Sequence, residues 1–142
     1  MTKNVGFVSF RIAGTDGVSL ELKKWADVLE PAGFKCFYLG GELDTPEDRS
    51  MYAPLFHFQD PEIRETYQAC FGNSQRPQEL TQRLHQQRQK IKESIYEFIR
   101  RYDIDLLIPQ NAVTIPLNVA LGMALTEVIA ETGIPTIAHH HD

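Results

Sequence analysis

The feature that most constrains the fold is an alternation of short apolar runs with segments of helical apolar spacing. Residues 5–10 form a nearly continuous apolar run, and Gly14 and Gly17 follow within a few positions. Apolar side chains then recur at helical spacing up to a Pro-Ala-Gly turn at 31–33, and residues 34–39 form a second apolar run. Runs of this kind are typical of strands covered on both faces. The pattern predicts a βαβ unit, whose right-handed crossover makes the two strands parallel neighbours.

The middle of the chain predicts a loop followed by two helices. Residues 40–59 carry glycine and proline loop signals, with a possible short extended stretch at 51–58. Asp60 and Pro61 suit a helix start that runs to about residue 72. A long helix is expected from residue 77, where one apolar stripe faces a polar surface; a coiled coil is the less favoured alternative. The stripe consists of Leu80, Leu84, Ile91, Ile95, Phe98, Ile99 and Tyr102.

The last third of the chain repeats the strand and helix alternation. Residues 104–108 predict a third strand, and a loop at 110–116 leads into a helix that Gly133 closes. Residues 134–138 predict a fourth strand. Such alternation is typical of a Rossmann-like α/β fold, an open and mainly parallel sheet flanked by helices. At 142 residues the chain is expected to form one domain.

Composition and charge exclude several classes of function. The net charge is −5, which disfavours binding to a nucleic acid backbone. The sequence shows no signal peptide and no apolar run of membrane-spanning length, so a cytoplasmic protein is expected. Cys36 and Cys70 lack metal-type spacing, and Cys36 lies within an apolar run, which favours a buried thiol over a disulfide.

Two polar segments follow predicted strands, where open α/β sheets bind ligands. The glycine-rich residues 14–17 would let a backbone approach a ligand and offer helix N–H groups to it, although the dinucleotide fingerprint is absent. A tight turn with Asp16 as the helix cap is the favoured interpretation of this loop taken alone. Residues 110–118 offer amides and a threonine to a hydroxyl-rich ligand, while Asn111 or Thr114 acting as a helix cap stays open.

A third segment, His139-His140-His141-Asp142, follows the last predicted strand. Imidazoles there could act as acid or base, hydrogen-bond a sugar or bind a metal. Adjacent residues of an extended chain point to opposite faces, so three consecutive histidines do not easily share one ion. No metal site is therefore predicted, and a purification-tag remnant remains an alternative.

Residues 11–21, 111–118 and 134–142 together resemble the N-terminal domain of family-4-type retaining glycosyltransferases, which have two Rossmann-like domains (the GT-B fold). Within that family the resemblance is to bacterial transferases that act on small soluble acceptors. It implies that residues 1–142 form the acceptor-side domain, with a nucleotide-sugar as co-substrate and no further cofactor. The C-terminal nucleotide-sugar domain would be the missing partner.

The resemblance also assigns roles to individual residues. The glycine loop would lie near the donor diphosphate and transferred sugar, and a histidine near the chain end would contact the donor sugar. Donor-binding residues would be Gly14, Thr15 and Gly17; acceptor-binding residues Glu21, Asn111 and Thr114; and catalytic candidates His141, His140 and Asp16.

The glutamates and basic residues that hold the nucleotide in that family belong to the second domain, which this chain lacks. We therefore expect the chain alone to show no transferase activity and to bind nucleotide-sugars poorly. A face left uncovered would favour self-association into a homo-oligomer. The alternatives are a standalone flavodoxin-like binding module without catalysis and a small histidine-based hydrolase or metalloenzyme.

Overall fold

The fold is an open, four-stranded parallel sheet with helices on both faces, as the sequence predicted. The computed structural model of the chain describes residues 3–14, 17–56, 61–72, 78–110 and 119–138. The strands are β1 (Lys3–Ser9), β2 (Phe34–Gly40), β3 (Ser50–Tyr52) and β4 (Leu106–Pro109), and the helices are α1 (Gly17–Leu29), α2 (Pro61–Gly72), α3 (Gln78–Arg101) and α4 (Val119–Thr132). Short 3-10 helices cover Glu47–Arg49 and Pro54–Phe56.

The sheet has the strand order β3-β2-β1-β4, with every pair parallel. Val5 of β1 lies between Cys36 of β2 and Leu106 of β4, which fixes the register across the three longest strands. The connection from β1 leads through α1 to β2 on one side. The later crossover returns past β1 and places β4 on its other side.

Each face of the sheet packs against different helices because side chains alternate along a strand. Phe7 and Ile108 point to the face covered by α1, where Leu22 and Ala26 complete the cluster. The opposite face packs against α3 and α4. Its buried members include Val8, Leu39, Leu107, Ile91, Ile95, Phe98, Leu121, Leu125 and Val128.

The long helix α3 lies against the sheet along the stripe that the sequence identified. Leu84, Ile91, Ile95 and Phe98 are all buried, and α3 packs beside α4. A stripe buried by its own domain is not available for pairing with another chain. The coiled-coil alternative is therefore excluded.

Two strand predictions need correction. The expected extended stretch at 51–58 is strand only at Ser50–Tyr52, because a 3-10 helix takes over at Pro54–Phe56. The predicted fourth strand at 134–138 is reduced to a single bridge between Leu107 and Thr136. Leu107 N donates to Pro135 O at 2.9 Å, and Ile137 N donates to Leu107 O at 2.9 Å. The segment thus lies parallel to β4, but Pro135 has no N–H with which to extend the ladder.

Candidate functional site

The carboxyl ends of β1 and β4 form the switch point of this sheet, since the chain leaves the two strands in opposite directions. Ligands of open α/β sheets bind in the crevice outside such a point. Ser9 ends β1 and is buried, and the buried Gln110 follows β4. Gln110 N donates to Val8 O at 2.8 Å, which ties the two strand ends together. Its side-chain Nε2 donates to Ile108 O at 3.2 Å.

Beyond β1 the backbone continues alongside the loop that follows β2. Gly41 N donates to Phe10 O at 3.0 Å, Ile12 N donates to Glu42 O at 2.8 Å, and Asp44 N donates to Ile12 O at 3.0 Å. Ile12 is fully buried. These bonds extend the parallel pairing past the end of the sheet and fix the chain as it enters the glycine loop.

Gly14 adopts a left-handed conformation, with φ of 72°. Its N–H donates to Asp44 Oδ2 at 2.9 Å, and Lys23 Nζ lies 3.0 Å from Asp44 Oδ1. The hydrogen bond from Gly14, followed by that from Lys23, lowers the pKa of the Asp44 carboxyl. The carboxylate of the β2 loop thereby holds both the glycine loop and the first helix.

The residues on either side of Gly14 are held as well. Ala13 N donates to Ser19 Oγ at 3.1 Å, and Ser19 is buried in the first turns of α1. Arg11 forms an ion pair with Glu42, and its guanidinium lies beside Gly14, where an added Cβ would be 2.8 Å from Arg11 Nη2. Arg11 and Lys23 are thus each paired with one carboxylate of the β2 loop.

Three of the predicted site residues lie in the connection between β1 and β2 within the described part of the chain. Gly14 lies in the loop after β1, whereas Gly17, predicted in the same loop, is already the first residue of α1. A Cβ on Gly17 would meet no atom within 4 Å. Glu21 is half-buried on α1. Thr15, Asp16, Asn111, Thr114, His140 and His141 lie outside the described residues, and their roles stay predictions.

Sequence reasoning missed three residues that the fold brings to this edge: Ser19, Lys23 and Asp44. Gln110, which begins the polar segment that the sequence singled out, also lies there. A usable signal existed for Asp44, which follows Gly40 and Gly41 after the second predicted strand. The rule that parallel strands gather their carboxyl ends at one edge applies to that loop too. Lys23 lies four residues after Ser19, the spacing that places both on one helix face.

Other classes of site find little support in the described ranges. Among residues 3–14, 17–56, 61–72, 78–110 and 119–138, no three His, Cys, Asp or Glu side chains converge as metal ligands would. None of the helices described is both long and apolar enough to cross a membrane. Cys36 is buried and unpaired with another cysteine, as predicted.

Comparison with known proteins relates the chain to part of a glycosyltransferase. It is 28% identical over 140 residues to the mannosylglucosylglycerate synthase of Petrotoga mobilis, a match that covers 97% of this chain and 31% of that protein. It is 25% identical over 141 residues to the mannosylglucosylglycerate synthase of Thermotoga maritima, with the same two coverages. The chain therefore spans about a third of these relatives. No protein-family model matches it, and no solved structure matches significantly.

Proposed function

We propose that this chain is the N-terminal, acceptor-side domain of a retaining GT-B glycosyltransferase. The enzyme would transfer a sugar from a nucleotide-sugar donor to a small hydroxylated acceptor. The observation that carries the proposal is the similarity to two mannosylglucosylglycerate synthases over 97% of the chain. The parallel sheet supports it, because the resembling residues 11–14 lie at the carboxyl end of β1, beside the switch point.

The product in the relatives' name suggests the substrates. Mannosylglucosylglycerate forms when a mannosyl group is joined to glucosylglycerate, so we propose glucosylglycerate as the acceptor and a nucleotide-activated mannose as the donor. Glucosylglycerate carries many hydroxyls and one carboxylate, which amide, hydroxyl and N–H groups can bind. Glu21, Asn111 and Thr114 are the residues proposed to contact it.

Catalysis in this scheme depends on stabilising charge as the sugar–phosphate bond breaks. Backbone N–H groups of Thr15 and Gly17 are proposed to face the departing diphosphate, where preorganised donors lower the barrier. Gly14 is proposed to contribute to the donor site through the turn it makes, since Asp44 already accepts its N–H. His140 and His141 are proposed to contact the donor sugar. Asp16 is the protein group proposed to accept the proton of the attacking hydroxyl, with the leaving phosphate as the other candidate base.

The nucleotide half of the donor would be held by a C-terminal domain of the same enzyme. A chimera tests this division directly. In the Petrotoga mobilis synthase, the third that this chain matches is replaced by the present 142 residues. Mannosyl transfer from GDP-mannose to glucosylglycerate is then followed by chromatography of the product.

We expect the chimera to form mannosylglucosylglycerate, while the relative without the replaced third does not. The control is a chimera with Glu131→Ala, which removes an exposed carboxylate on α4 that pairs with Lys92. It should be as active as the unsubstituted chimera. A folded chimera that neither transfers mannose nor binds glucosylglycerate would overturn the proposal and favour a binding module.

A further inference from the structure

One contact that the proposed function does not explain joins the β2 loop to Gly14. Asp44 Oδ2 accepts the Gly14 N–H at 2.9 Å and lies 3.2 Å from Lys23 Nζ, while Oδ1 lies 3.0 Å from the same amine. One carboxylate therefore joins three segments of the chain: the loop after β1, the helix α1 and the loop after β2.

The position of this carboxylate is fixed by the backbone around it. Asp44 N donates to Ile12 O, and Leu43 forms a bridge with Ile12. Leu43 also packs against the core cluster under α1. Because its own N–H and the preceding Leu43 are anchored, Asp44 cannot shift without breaking the pairing that extends β1.

The Gly14 backbone needs such a partner. Gly14 has a φ of 72°, which is only one of several backbone conformations open to glycine. Glycine also loses more conformational freedom than other residues when its backbone becomes ordered. A charge-assisted hydrogen bond to its N–H selects one of these conformations. The same bond fixes the orientation of the peptide between Ala13 and Gly14.

We propose that Asp44 is a positioning residue, which holds the Gly14 backbone in the conformation that receives the donor without contacting the donor itself. The proposal rests on the proposed function, since the loop is the part of this domain assigned to substrate. A backbone that is ordered before the ligand arrives loses no further conformational entropy on binding. Preorganisation of this kind therefore raises affinity. Lys23 also pairs with the Asp44 carboxylate. Because this ion pair is exposed, it contributes less to holding Asp44 in place than the backbone hydrogen bonds do.

The test compares Asp44→Ala, Asp44→Asn and Lys23→Met in the chimera with the Petrotoga mobilis synthase. Asparagine keeps an oxygen that can accept the Gly14 N–H, alanine does not, and the lysine substitution removes only the ion pair. Affinity for GDP-mannose is measured by calorimetric titration, with glucosylglycerate as a second probe. Thermal unfolding of each variant shows whether the fold is intact.

We expect Asp44→Ala to weaken GDP-mannose binding about tenfold, because the Gly14 backbone must then be ordered during binding. Asp44→Asn and Lys23→Met should stay within about threefold of the unsubstituted chimera, since an exposed ion pair contributes little. The matched control is Glu131→Ala, whose carboxylate is 47% exposed and pairs with Lys92, against 44% for Asp44. It lies in the last turn of α4, at the opposite edge of the sheet, and should leave affinity unchanged.

The outcomes separate this proposal from the proposed function. Unchanged affinity in Asp44→Ala would overturn the positioning role while leaving the function intact. Tighter binding in Asp44→Ala would also overturn it, because Asp44 would then be masking the Gly14 N–H rather than directing the loop. If the unsubstituted chimera is folded but binds neither probe, the proposed function fails and the positioning role fails with it.

Discussion

The ring of Phe98 occupies the space that a side chain on Gly6 would need. A Cβ added to Gly6 would lie 2.6 Å from Phe98 Cε2 and 3.1 Å from Ile104 Cγ2. Phe98 is fully buried and packs edge-on against Tyr102. The C-terminal part of α3 can therefore lie close to β1 only because residue 6 has no side chain.

Gly6→Ala should consequently destabilise the domain. The buried ring cannot move aside without disturbing its neighbours, and overpacking of this kind costs about 1–3 kcal/mol. Gly17→Ala is the control, because a Cβ there meets no atom within 4 Å. It should be neutral or stabilising by up to about 1 kcal/mol. Urea unfolding of both variants checks the prediction, and equal free energies of unfolding would contradict it.

The buried side-chain amide of Gln87, between α2 and α3, is the basis of a second prediction. Gln87 Nε2 donates to Thr66 Oγ1 at 2.8 Å, while Gln87 Oε1 has no hydrogen-bond partner among the described residues. Thr66→Val removes the main acceptor of a buried donor and should cost about 1–3 kcal/mol. Gln87→Leu removes the unsatisfied oxygen and should be neutral or stabilising. Chemical unfolding that ranks the two substitutions in the reverse order would refute this account.

The carboxyl of Asp44 should titrate below its ordinary range. The Gly14 N–H and then Lys23 lower its pKa in the folded state from 3.8. Its contribution to stability is therefore present above the unfolded pKa and is lost as the pH falls through the folded one. NMR shifts of Asp44 Cγ and the Gly14 amide should share one midpoint below 3.8. Lys23→Met should raise that midpoint; two unrelated midpoints would show that the carboxylate does not hold the loop.

Two buried groups under α1 should make the domain sensitive to alkali. Burial, with Glu30 nearby, raises the pKa of the Cys36 thiol from 9.0 to about 12. Burial and the neighbouring Cys36 raise the pKa of Tyr38 from 10.0 to about 12. The unfolded chain loses these protons first, so the free energy of unfolding should fall as the pH rises from 9 toward 12.

Tyr38→Phe keeps the ring that stacks on Phe7 and removes one titrating group. The decline in stability above pH 10.0 should then be shallower. Lys35→Met, an exposed change on the same strand, serves as the control. An unchanged slope in Tyr38→Phe would mean that Tyr38 does not ionise differently in the two states.

The chain alone should form no mannosylglucosylglycerate from GDP-mannose and glucosylglycerate. In the proposed enzyme the donor nucleotide is held by a C-terminal domain, so the 142 residues provide one side of the cleft. Weak binding of glucosylglycerate without turnover is the expected result, followed by amide NMR and product chromatography. Turnover by the isolated chain would contradict the proposed division of labour.

Several elements were predictable because their signals are local. The apolar run at 5–10, the second run at 34–39 and the stripe on α3 are periodic patterns read from neighbouring residues, and each corresponds to an observed element. The start of α2 at Pro61 follows from cap chemistry in the same way. The strand expected at 134–138 was too long, because only one bridge forms there. The strand propensity of a segment does not show how many of its backbone groups will form hydrogen bonds with a neighbouring strand.

The sequence by itself determined the α/β class, the parallel pairing of β1 with β2 and the long amphipathic helix α3. Only the tertiary structure decided the strand order and the contact between Asp44 and Gly14, which are 30 residues apart. It also decided that Phe98 takes the space above Gly6. The physical reason is that periodicity and caps depend on residues within one or two turns, whereas these contacts depend on where whole elements pack.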